Sequence, residues 1–365
     1  MNFIRKFRNY FYQLHVKKYM KSHTVKMISD YKTMPDTILV VSNTALGDTI
    51  LSTSAIKSIK HSFPNTKIIF LVKKNLVNLF YNFKYVDEII PFYEGYKNYF
   101  KTIKNIKIHN PKMSIIFHGN GPQDIQISIL SGCQFIFKHP TKSNFKEHLS
   151  YNFKLKNQHT IDDRLDILKK LNAKKLFTKI ELPEQDKKHD INVTKLLKNK
   201  NKIIGFQIGA ADTYKMWPIN NFIALAKKII KFDPNITIVI TGIKEEFYLA
   251  EKIVIESNSN IINSCGIFNI NELTYLIKKM NMLITNDTGT MHMAIALDVS
   301  TIALFSTTDS IKSGPHPDVL KHHYLIQKNG LAVQSLPKKK RTNELMNLIE
   351  VDEVFEIAKR VISKC

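Results

Sequence analysis

The chain has 365 residues, length enough for about two domains, and its 44% hydrophobic and 23% charged content is that of an ordinary globular protein. No apolar run approaches the roughly 18 residues of a transmembrane helix, no secretory signal is visible, and three scattered cysteines (Cys133, Cys265, Cys365) exclude a disulfide framework or CxxC metal site, which together fit a reducing cytosol. The net charge of +23 attracts anions such as nucleotides or a phosphorylated membrane surface, but Lys-rich drift spreads it along the whole chain, and without a helix-turn-helix, zinc-finger or RNP pattern nucleic acid is not expected as a partner.

Residues 1–34 form a basic amphipathic extension. Phe3, Ile4, Phe7, Tyr10, Phe11 and Leu14 recur at helical spacing among Arg5, Lys6, Arg8, Lys17 and Lys18. Such a helix suits an anionic membrane interface or packs on its own domain, and membrane contact is the expectation.

Residues 35–185 read as a first α/β domain. Asp36 to Ser42 is a strand, Asn43 to Asp48 a turn, Ile50 to about Phe63 a helix, and Lys67 to Val72 a second strand. Asp48, at the helix start, either caps the helix or, at the mouth of an interdomain cleft, takes a proton from a sugar hydroxyl. Val86 to Pro91 and Met113 to His118 read as further strands, with a loop over 118–123. His159 to Leu171 reads as a helix whose Asp162, Asp163 and Asp166 suit a solvated face better than a metal site. No metal ligands are expected. Residues 186–201 are polar and Lys-rich, a linker with one exposed helix.

Residues 202–350 repeat the alternation. Ile203 to Ile208 is a strand and Gly209 to Tyr214 a loop of small and polar residues. Lys215-Met216-Trp217-Pro218 leads into a helix with Phe222, Leu225, Ala226 and Ile229 on one face. Ile236 to Ile240 is a strand, Glu245 and Glu246 open a helix, and Asn269 with Glu272 marks the capping box of another. Asn281 to Ser306 then gives strand, turn, helix and strand, a βαβ unit whose turn, Asn286-Asp287-Thr288-Gly289, falls at the carboxyl edge of a parallel sheet. The helix start there suits a diphosphate, and His292 lies within reach of the same anion; an ordinary capped turn with a packed histidine is the alternative. A terminal helix covers 351–365. Two Rossmann-like domains facing across a cleft is the expected α/β architecture.

Three segments resemble one family in order and spacing. ILVVSNTALGDTILSTSAIKSIKHSFP is similar to the N-terminal signature of the ADP-heptose:lipopolysaccharide heptosyltransferases. IIGFQIGAADTYKMWPINNFIALA is similar to their Gly-rich loop and Lys-x-Trp-Pro helix start, and NDTGTMHMAIALDVSTIALFSTT to their Asp-(Ser/Thr)-Gly-x-x-His donor motif. The resemblance spans most of residues 37–315. It implies a GT-B fold, no cofactor, and inverting, metal-independent transfer of heptose from ADP-heptose to a lipopolysaccharide core. The enzyme would be cytoplasmic and peripheral to the inner membrane.

Position by position, the resemblance makes Asp48 the general base. Lys215 becomes the donor-phosphate contact, and Thr288, Gly289 and His292 the diphosphate cradle. Asp287 falls near the donor sugar, Gly209 and Ala210 beneath the nucleotide, and Glu245 or its neighbour Glu246 at the ribose. Domain closure is expected to keep water from the reaction. Other functions remain compatible: a related GT-B transferase using another nucleotide sugar or another acceptor, or an inactive sugar-nucleotide-binding module.

Overall fold

The β-branched and aliphatic runs form two wholly parallel sheets, one in each of two compact units, Met1–Pro183 and Glu184–Cys365. The structure is a computed structural model and describes residues 2–94, 96–119, 121–139, 146–257, 260–306, 308–328 and 341–364.

The first unit runs α1 (Asn2–Tyr19), β1 (Thr37–Ser42), α2 (Leu46–Leu51), α3 (Thr53–Ser62), β2 (Lys67–Lys73), α4 (Val77–Phe80) and β3 (Glu88–Phe92). It continues with α5 (Tyr96–Lys107), β4 (Met113–His118), α6 (Gln123–Leu130), β5 (Phe135–Lys138) and α7 (Thr160–Lys170). Its strand order is β3-β2-β1-β4-β5. The central strands are buried on both faces, as parallel sheets flanked by helices are.

The second unit runs α8 (Ile191–Leu196), β6 (Lys202–Gln207), α9 (Ile219–Phe232), β7 (Ile236–Thr241), α10 (Phe247–Ser257), β8 (Ile261–Asn263) and α11 (Ile270–Lys278). It ends with β9 (Met282–Asn286), α12 (Gly289–Ala296), β10 (Ser300–Phe305), α13 (Ser310–Ser313), β11 (His323–Gln327) and α14 (Val351–Ile362). The order is β11-β10-β9-β6-β7-β8. Trp217, Phe222, Ile238, Ile284 and Val354 share its core.

In each sheet the strand order reverses beside the first strand, between β1 and β4 and between β6 and β9. Open α/β sheets bind ligands at the carboxyl edge of such a switch point.

Two segments differ from the sequence expectation, and a third, the extension, shows the packing that the sequence had left as an alternative. The expected single helix over Ile50 to Phe63 begins at Leu46 and is broken at Ser52. The Ser52 hydroxyl donates to Asp48 O at 2.9 Å and lies 3.0 Å from Ser42 Oγ, and Thr49 Oγ1 donates to Ala45 O at 3.0 Å, side-chain bonds that compete with the helix ladder. Asp48 therefore lies within the first turn of α2 rather than in the preceding turn. Residues 184–201 pack on the second unit: Asn192 Nδ2 donates to Glu272 Oε1 at 2.7 Å, and Tyr275 OH donates to Gln185 O at 2.7 Å. The extension joins the first unit, with Val16 in its core and the Lys26 and Ile28 amides bonded to Gln134 O and Ser150 O.

Candidate active site

At the switch point of the first sheet, β1 and β4 slip register between Val41 and Ser42, so that Ser42 pairs with His118 and Phe117 is the extra residue. A bulge of this kind re-aims the side chain beside it. His118 thereby reaches both Thr44, whose Oγ1 lies 2.5 Å from Nδ1, and Asp48, whose Oδ1 lies 3.5 Å from Nε2. Asp48 does not cap its helix: the N-cap residue is Ala45, and it makes no side-chain cap bond. Its carboxylate is 30% exposed and open to a ligand.

Beneath it lies Arg164, from the middle of α7, with Nη2 4.0 Å from Asp48 Oδ1 and a side chain only 1% exposed. Burial pulls the Arg164 guanidinium down to about 10, against the charges of Asp48 and Asp163. A second buried pair, Lys138 Nζ to Asp124 Oδ2 at 2.5 Å, stands nearby. A Cβ on Gly119 would come within 2.4 Å of that same Asp124 oxygen, so the loop after β4 needs glycine there. Burial lowers the His118 imidazole below its ordinary value; Asp48 and Asp124 oppose this, and Arg164 and Lys138 add to it. The acids of α7 engage cations and amides. Asp163 Oδ1 accepts from Gln158 Nε2 and lies 3.1 Å from His139 Nε2, while Asp166 bonds Lys156 and Lys169.

At the second switch point, Asn286 closes β9 and ties three segments together. Its amide nitrogen donates to Ile208 O at 2.8 Å and its amide oxygen accepts from the Trp217 N–H at 2.9 Å. This fixes the loop carrying Gly209 and Ala210 against the Lys215-Trp217 turn. The next residue, Asp287, takes Lys215 Nζ at 2.7 Å and Thr308 Oγ1 at 2.8 Å on the same oxygen, Oδ2. Thr288 is the N-cap of α12, its hydroxyl accepting from the Thr290 amide at 3.2 Å, and Gly289 opens the helix. His292 is buried one turn on. The lysine ammonium held by Asp287 and the first turn of α12 thus follow directly on one another along this edge, groups of the kind that bind anions.

Of the two glutamates, the structure brings Glu246 to this loop and leaves Glu245 exposed. A Cβ on Gly209 would fall 1.6 Å from Glu246 Oε1, and one on Gly242 would fall 2.3 Å from Oε2. The Ile243 amide donates to Glu246 Oε2 at 2.9 Å. Burial raises the Glu246 carboxyl, that amide lowers it, and Glu245 raises it further.

The structure thus places Gly209 and Ala210 after β6 and Lys215, Asp287, Thr288 and Gly289 along the same sheet edge, with His292 buried in the first half of α12, and places Asp48 just beyond β1 of the other sheet. Sequence reasoning missed His118, Arg164 and Thr308. For His118 a signal existed, a histidine closing a strand before glycine; a buried arginine among three aspartates offered none.

A model of the family described as "Glycosyltransferase family 9 (heptosyltransferase)" matches residues 129–348. Lipooligosaccharide heptosyltransferase 2 of Campylobacter jejuni subsp. jejuni serotype O:6 is 28% identical over 281 residues, 74% of this chain and 82% of that protein. Lipopolysaccharide heptosyltransferase 1 of Campylobacter coli is 25% identical over 89% of this chain and 98% of its own. Among solved structures, a family 9 glycosyl transferase from Veillonella parvula superposes with a TM-score of 0.77 at 18% identity, covering 92% of this chain and 99% of the other. E. coli ADP-heptose lps heptosyltransferase II gives 0.73 at 16%, covering 90% and 99%. E. coli heptosyltransferase WaaC with ADP gives 0.69 at 14%, covering 89% and 99%. At these identities the structural likeness is one of fold.

Proposed function

The chain belongs to glycosyltransferase family 9, the heptosyltransferases, and on that premise we propose that this GT-B enzyme moves heptose from ADP-heptose onto a lipopolysaccharide or lipooligosaccharide core, with inversion and without a divalent metal. The observation that carries this reading is the cradle at Asp287–Gly289, where Lys215 and the start of α12 meet. As the glycosidic bond breaks, its electron pair leaves with the diphosphate of ADP. The Lys215 ammonium and the helix amides stabilise that developing charge. Asp287 holds Lys215 until the donor arrives and stands ready for the sugar hydroxyls. Glu246, wedged against Gly209 and Gly242, is the acid assigned to the ribose. Asp48 takes the proton of the acceptor hydroxyl as its oxygen bonds to the anomeric carbon.

For the acceptor's membrane the support is α1. Tyr10, Phe11 and Leu14 are exposed on it beside Lys17 and Lys18, while Val16 anchors the helix in the core. No helix among the described residues is long and apolar enough to cross a membrane. Contact is therefore proposed at the cytoplasmic face of the inner membrane through this exposed basic, aromatic stripe.

The test is transfer measured by mass spectrometry from a panel of nucleotide sugars, with EDTA present, and the product's anomeric configuration read by NMR. Transfer of heptose from ADP-heptose with inversion is expected. Transfer from another nucleotide sugar alone, or loss of activity in EDTA, refutes the corresponding part.

A further inference from the structure

We propose that Arg164 is a positioning residue for the base: its buried guanidinium keeps the Asp48 carboxylate ionised and turned toward the acceptor hydroxyl. The inference rests on Asp48 being the base, as read above.

Arg164 is almost wholly removed from solvent, and none of its three guanidinium nitrogens has a hydrogen-bond partner among the described residues. A group with five N–H donors is an expensive occupant of such a place, where a methionine would fill the space without a desolvated charge. Its charge therefore calls for an explanation beyond packing. The carboxylates facing it are Asp48 and Asp163. Asp163 already receives Gln158 Nε2 at 2.8 Å and lies 3.1 Å from His139 Nε2. Lys138 is likewise matched, by Asp124. Among the described residues, Asp48 has only the His118 ring at 3.5 Å and Arg164 at 4.0 Å as charge partners, and burial disfavours the charged form of that ring. Arg164 is thus the standing positive charge on Asp48.

The need for that charge arises when substrate binds. Asp48 is 30% exposed before the acceptor arrives, and water supports its charge. A sugar laid over it removes that water, and desolvation alone raises a carboxyl toward protonation, where it is no longer a base. A fixed cation on the protein side opposes the rise and does so most strongly once water is gone.

The experiment compares full-length Arg164→Met, Arg164→Gln, Arg164→Lys and Asp163→Asn. Each is read by kcat against pH, by thermal unfolding and by affinity for ADP. The acid limb of kcat reports the enzyme–substrate complex. In R164M and R164Q it is expected to move up by about 1–3 pH units, the range for losing an opposite charge at this distance, with ADP affinity unchanged. Two neutral variants are made so that a folding defect in one leaves the other to be read. R164K should keep the wild-type limb, and so should D163N. A limb that coincides in wild type and neutral variants, with kcat or unfolding temperature merely lower, overturns the proposal. So does a limb displaced by a full unit in R164K or D163N. Failure of the base reading looks different: Asp48→Asn then keeps near-normal turnover whatever the Arg164 variants do.

Discussion

The two units put opposite charges at the edge of the same kind of sheet. Each is a parallel sheet whose carboxyl edge opens at a switch point, yet the first displays a carboxylate over a buried cation and the second a lysine paired with a carboxylate, both partly buried. In the first, Arg164 lies underneath and Asp48 outward; in the second, Asp287 is the more buried partner and Lys215 the more exposed, at 10% and 19%. Fold alone therefore assigns neither role. On the function proposed, what separates base from leaving-group cradle is which sign of charge the edge exposes, and that sign is set by a few residues just beyond the strand ends.

The sharpest way to break this comparison is Asp48→Asn. Turnover is expected to fall about 10²–10⁴-fold with ADP affinity nearly unchanged. A variant that instead loses ADP binding would place Asp48 on the donor side. Lys215→Ala is the mirror experiment. Losing one charge-assisted contact should weaken donor binding by about 1.5–3 kcal/mol, and an unchanged KM and turnover would remove Lys215 from the cradle. Gly209→Ala comes next, because its Cβ displaces the Glu246 carboxylate. We expect ADP affinity, measured by calorimetry, to drop by about 1 kcal/mol; an unaltered value would free Glu246 from the nucleotide.

Thr308→Val removes a 2.8 Å bond to the oxygen of Asp287 that also holds Lys215. Its cost should be about 1 kcal/mol or less, seen as a few-fold rise in donor KM and no change in the acid limb of kcat. The smallest effect is the His118 titration, read by NMR. Its midpoint should lie below the ordinary histidine value, since burial lowers it. Asp48 raises it, so Asp48→Asn should move the midpoint further down. An upward move would mean that His118 and Asp48 do not share a site.

Much of the fold was legible because its signals are local. The capping box at Asn269 and Glu272 and the strand Met113–His118 lie where the sequence put them. The turn and helix at Asn286 to Ala296 were legible too, being contiguous in the chain, although Thr288 supplies the cap where the alternative reading had an aspartate. Less was legible in the first unit. There the residues around Asp48 come from β4 and α7, remote in sequence, and His118 is aimed by a register slip that alternation of apolar residues cannot reveal. Asp162, Asp163 and Asp166 read as a solvated face, and nothing in that stretch singled out Arg164, which the helix turns inward.

What the sequence determined by itself was the alternation of strands and helices and the turns between them, because periodicity and capping are properties of neighbouring residues. The tertiary structure decided which of Glu245 and Glu246 meets the Gly209 loop, that Ala45 rather than Asp48 stands at the N-cap of α2, and that the extension contributes Val16 to a core. Those outcomes depend on which surfaces are brought together across the sheet edge, and no local pattern of side chains encodes that.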